Sequence, residues 1–141
     1  MALVTSVNPL RVRTLLLSAL SLFSKGTDDG KFWVQGVEKT SSPVLGNHYG
    51  YCSIGAINNV PGFSEEEKRA ARIALAKIID NDFYGGSYVS DYHDGYSDDK
   101  LTFENSPHLA DDLIAEVNDD EETEFSTVRS WFNAAAALVK R

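Results

Sequence analysis

The one cysteine of this sequence, Cys52, is its most nucleophilic side chain. A thiol reacts as its thiolate, and the positive end of a helix lowers its pKa by favouring that charge. Residues Tyr51 to Asn58 (YCSIGAIN) read as a short buried helix, which would put Cys52 near such an end. His93 or His108 could act as its base, and Asn118 or Asp119 could orient that base. The chain order Cys, His, Asn/Asp also occurs in cysteine hydrolases, so a Cys52-dependent hydrolase or transferase is one expectation. It requires residues scattered over several loops to converge. A lone cysteine between Tyr51 and Ile54 is otherwise a small buried hydrophobe. The residues favour that reading, and none is assigned a catalytic role.

Other reactive groupings are weaker. His48 lies four residues before Cys52 and could improvise a metal site with His93, but no HxxxH or CxxC spacing supports it. Asp91, Asp94, Asp98 and Asp99 lack the 1-3-5 spacing and the position-6 glycine of a calcium loop. There is no P-loop, no GxGxxG and no GxSxG. Asp111, Asp112 and Glu116 could do acid–base work, but an exposed helix surface is their ordinary reading. Neither a metal nor a cofactor is expected.

The elements that must position these groups are mostly helical. Asn8 caps and Pro9 opens a first helix with Val12, Leu15, Leu16, Ala19, Leu20 and Phe23 on one face and Gly26 as its stop. Lys31–Val37 is a short strand or extended loop, in which Trp33 plugs the base of a loop or offers a ligand platform. The stretch from Thr40 to Gly50 reads as loop. Ser64 and Glu67 form a capping box for a helix whose inward face is Ala71, Ala74, Leu75, Ile78 and Ile79, ending at Asp80 to Asp82. Ser106-Pro107 begins a helix running to about Val117. Asp119 to Glu122 is an acidic turn. A last helix carries Val128, Trp131, Phe132, Ala135, Leu138 and Val139 inward.

The expected fold is therefore mainly α: one compact domain, 1–141, of four to five helices with at most a short hairpin or extended loops. Residues 1–8 form an N-terminal arm, and 83–105 an acidic, Tyr- and Gly-rich loop insertion. With 43% hydrophobic and 24% charged residues over 141 positions, the chain can bury a core without staples. No stretch approaches the ~20 apolar residues of a membrane span. The apolar run Leu10 to Phe23 is broken by Arg11, Arg13, Thr14, Ser18 and Ser21, and reads as an amphipathic helix of a cytoplasmic protein, not a signal peptide.

Charge is distributed unevenly. Residues 1–79 hold nine bases and six acids, net +3; residues 80–124 hold one base and fifteen acids, net -14; residues 125–141 hold three bases and no acid, net +3, giving -8 overall. Such a balance argues against direct binding to a nucleic acid backbone. Solvated surface is the ordinary reading of the acidic block; a surface offered to a basic partner is the functional one. Tyr84, Tyr88, Tyr92 and Tyr96 recur every fourth residue among Asp91, Asp94, Asp98 and Asp99. Gly85, Gly86 and Gly95 argue against a helix there.

Three short motifs carry a resemblance: Trp33-Val34-Gln35-Gly36, then Tyr51-Cys52-Ser53-Ile54-Gly55-Ala56, then Asn118-Asp119. In this order they resemble a family of small uncharacterised proteins, a domain of unknown function of actinobacteria and their phages. Trp33, Gln35, Gly36, Cys52, Gly55, Ala56, Asn118 and Asp119 match its signature. Val117 stands where that family has Trp, and Asp120-Glu121-Glu122 replaces its Pro/Gly turn. The resemblance implies a compact helical domain, phage-encoded and working in a bacterial cytoplasm; it brings no activity with it. Residue by residue, Gly55 and Ala56 allow close helix packing, and Asn118-Asp119 ends one helix and caps the next segment. The functional expectation is a small acidic, non-enzymatic protein that binds and modulates a host protein with a basic surface, a phage accessory or counter-defence factor. A nucleic-acid mimic that inhibits a DNA-binding protein is the further alternative.

Overall fold

The computed structural model describes residues 7–23, 33–36, 39–41, 49–89 and 102–139. In chain order these form α1 (Pro9–Leu22), β1 (Lys39–Ser41), β2 (Tyr49–Tyr51), α2 (Ser53–Asn59), α3 (Glu65–Tyr84), α4 (Pro107–Asn118) and α5 (Phe125–Leu138). The chain is a mainly α single domain, as its periodicities require.

The helix starts follow from local chemistry. Asn8 Oδ1 accepts the Leu10 amide at 2.8 Å, with Pro9 in the first turn where no amide donor is missed. At α3, Ser64 Oγ accepts the Glu67 amide at 3.1 Å and Glu67 returns the bond to the Ser64 amide at 2.8 Å. Arg11 of α1 reaches across to this box, with Nε 2.5 Å from Glu67 and Nη2 2.6 Å from the Gly62 carbonyl. One carboxylate thus caps its own helix and anchors a second.

The core joins the expected stripes of α1, α3 and α5, including Phe23, Leu75, Ile79, Val128, Trp131 and Phe132, all buried. Phe23 stands edge-on to both Phe125 and Phe132, with centroids 5.6 and 5.5 Å away. The short α4 is an equal partner: Leu109, Leu113 and Ile114 are fully buried against α3 and α2. Four residues expected inward depart: Leu138 is 47% exposed at the end of α5, and Leu20, Ile78 and Val139 are only partly buried.

Three boundaries are corrected. The Thr40–Gly50 stretch is not all loop, because β1 and β2 pair antiparallel with Thr40 opposite Gly50. Tyr51 belongs to β2, and α2 begins only at Ser53. Three-residue strands are too short to display alternation, so pairing and not pattern defines them. Lastly, α3 runs through Asp80-Asn81-Asp82 to Tyr84, so positions 83 and 84 are helix and not loop insertion. Asp80 is buried and its Oδ1 accepts the Tyr88 amide, while Gly85 takes the left-handed conformation (φ 62°) that closes the helix. Gly26, His48, and the whole of 90–101 lie outside the described residues.

Candidate functional site

Two groupings of side chains stand out, one polar and buried, one aromatic and exposed. The first unites all three sequence motifs. Asn118, at the C-terminal end of α4, is 1% exposed. Its Oδ1 accepts from Trp33 Nε1 at 2.7 Å, from the Ser53 amide at 3.0 Å and from Ser53 Oγ at 2.7 Å. Its Nδ2 donates to the Val34 carbonyl and to Asp119 Oδ1, both at 3.0 Å. Gln35 Nε2 donates to the carbonyls of Asn118 and Asp120, and the Gly36 amide to Asp119 Oδ1, each at 2.8 Å. The strap 33–36 is thereby laced across the ends of α2 and α4, its Val34 amide also bonded to the Tyr51 carbonyl at 3.0 Å.

Cys52 sits at the rim of this knot as the N-cap of α2, with Sγ accepting the Gly55 amide at 3.3 Å. Gly55 and Ala56 are buried behind it. Asn118 bonds Ser53, the residue after Cys52. The catalytic arrangement is not assembled among the described residues. His108 lies ten residues before Asn118 on α4, about 15 Å away along the axis, and is exposed. His93 lies outside the described residues. Asn118 does not cap the next helix; Glu124 occupies the N-cap of α5. The Asn118 side-chain amide is committed to the strap and to Ser53. Among the described residues no three His, Cys, Asp or Glu side chains could hold a metal, and no helix is long and apolar enough to cross a membrane.

The second grouping is a ladder of five rings. Trp131, Phe83, Tyr84, Tyr88 and Phe103 follow one another with centroids 5.7, 6.4, 5.2 and 6.4 Å apart. Its ends, Trp131 and Phe103, are buried; its middle is not, since Phe83 is 54% and Tyr84 40% exposed. Two carboxylates are tied to it. Trp131 Nε1 donates to Asp82 Oδ2 and the Tyr84 hydroxyl to Glu116 Oε2, both at 2.9 Å. The Glu116 carboxylate, by accepting that proton, raises the Tyr84 phenol above its ordinary pKa of 10. Beyond Phe103 opens a groove of about 450 Å³ floored by Ile78, Val89 and Leu138, with the Lys77–Glu104 ion pair on its rim.

Of the expected contact residues, Tyr84 and Tyr88 are in this ladder, while Asp91, Tyr92, Asp94, Tyr96, Asp98 and Asp99 lie outside the described residues. Phe83, Asp82 and Ser53 are not among the expected site residues, and Glu116, expected on an exposed helix surface or in acid–base work, accepts the Tyr84 hydroxyl. Phe83 and Tyr84 at neighbouring positions carry an aromatic signal, but only the continuation of α3 brings Phe83 beside Trp131. No family model, curated protein or solved structure matches the chain.

Proposed function

We propose that this is a small acidic binding protein that engages a basic protein partner through the exposed middle of the aromatic ladder. The observation that carries the reading is Phe83: a large apolar ring left half in water, backed by the buried Trp131, in the part of the chain with a net charge of -14 over residues 80–124. Aromatic side chains bury much area with few rotatable bonds and so suit interfaces. A one-signed field mainly speeds encounter, while packed rings slow departure. Action on a host protein in a bacterial cytoplasm, and a phage origin, belong to the same proposal, and so does the family resemblance. A DNA-binding partner would make the acidic face a nucleic-acid mimic.

The test separates the two contributions. A partner captured from bacterial lysate should associate with a rate that falls steeply with salt. Changing Asp91, Asp94, Asp98 and Asp99 together to Asn should slow association, and Phe83→Ser with Tyr84→Ser should speed dissociation. Unchanged rates in both variants would remove this face from the interface.

A further inference from the structure

Resting on that reading, we infer that Phe83 and its two flanking carboxylates form a seat for an arginine side chain of the partner. The ring of Phe83 lies tilted beside two neighbours, Trp131 and Tyr84, and each neighbour donates a hydrogen bond to a carboxylate, Asp82 and Glu116 respectively. Both acids use one oxygen for that bond. Among the described residues neither pairs with a cation, in contrast to Glu67, Asp111 and Glu104, which face Arg11, Arg72 and Lys77. The rings sit on the last turn of α3, the negative end of the helix, and no base lies in that turn. An exposed ring, two carboxylates each bonded to a ring beside it and a helix C-terminus thus lie together, and among the described residues no cation pairs with either acid.

Guanidinium suits this arrangement better than ammonium. Its plane lies flat on an aromatic face while its edge donates in two directions to carboxylate oxygens. An ammonium is more strongly hydrated and cannot stack. The preference for arginine over lysine therefore resides in the ring, and the general attraction in the acids.

Calorimetric titration with nona-arginine and nona-lysine peptides tests this. The arginine peptide should bind about fivefold more tightly, the scale of an exposed cation–π contact. Phe83→Leu, which keeps apolar bulk beside Trp131, should erase that difference and leave the lysine peptide unaffected. Glu116→Gln, which keeps an acceptor for the Tyr84 hydroxyl, should weaken arginine binding more than lysine binding. Equal, salt-sensitive binding of both peptides to the wild-type chain would overturn the arginine seat while leaving the acidic-surface reading in place. Absence of binding by either peptide would overturn both. A concentration-dependent dimer in sedimentation that Phe83→Leu abolishes would assign the ring to a second copy of the chain and overturn the seat.

Discussion

Asn118 joins three segments of the chain through one side-chain amide. Its oxygen serves Trp33 and Ser53, and its nitrogen serves the Val34 carbonyl. Buried polar groups that lose a partner keep their desolvation cost, about 1–3 kcal/mol each. Asn118→Ala orphans the Ser53 amide and loosens the strap, so it should destabilise the fold by about 2–4 kcal/mol. A urea midpoint within error of the wild type would show that water replaces the lost bonds. The sequence makes this residue conspicuous through the Asn-Asp pair but does not reveal its role. An Asn at a helix end ordinarily bonds locally, and its true partners lie 65 and 85 positions away. Cys52, by contrast, is legible: a small buried thiol at the start of a helix is what its neighbours imply, and it stands there as a cap.

At the scale of elements, α3 organises the molecule, because its first turn grips α1 and its last turn carries the exposed rings. The grip centres on Glu67. The hydrogen bond from Arg11, reinforced by the Ser64 amide, lowers its pKa from the ordinary 4.5 to about 2. A carboxyl whose pKa is depressed by folding stabilises the fold fully above its unfolded pKa, and that contribution disappears as pH falls through the folded value. Its share of stability should therefore decline between about pH 4.5 and pH 2. Melting temperatures over that interval should drop less for Glu67→Gln than for the wild type, and parallel pH profiles would refute the assignment. The start of α3 is readable because a capping box is a pattern of four residues. Its end is not, because Asp80-Asn81-Asp82 resembles a stop until the buried Asp80 is seen holding the Tyr88 amide. The β1–β2 pair escapes notice for a related reason, since neither strand is long enough to show a period.

The whole molecule is a helical core with one segment tied on from outside. The strap 33–36 is held mainly by polar bonds at a partly exposed rim, while α1, α3, α4 and α5 share a continuous apolar interior. Its bonds to Asn118 span up to 85 positions of chain. Once the helices have docked, however, the loops to be closed run only from Phe23 to Trp33, about 10 residues, and from Gly36 to Tyr51, about 15 residues, which lowers the closure cost by about 1–2 kcal/mol. The molecule should thus acquire its strap last when refolding and release it first when fluctuating. Amide hydrogen exchange exposes this order. Val34 and Gly36 should exchange through an opening with little dependence on added urea, whereas Leu16 and Leu75 should follow global unfolding. Equal urea dependence at all four would mean that strap and core open together. Otherwise the native state is a pair of states, laced and unlaced, that share one intact core and differ in whether the ends of α2 and α4 are reachable by solvent.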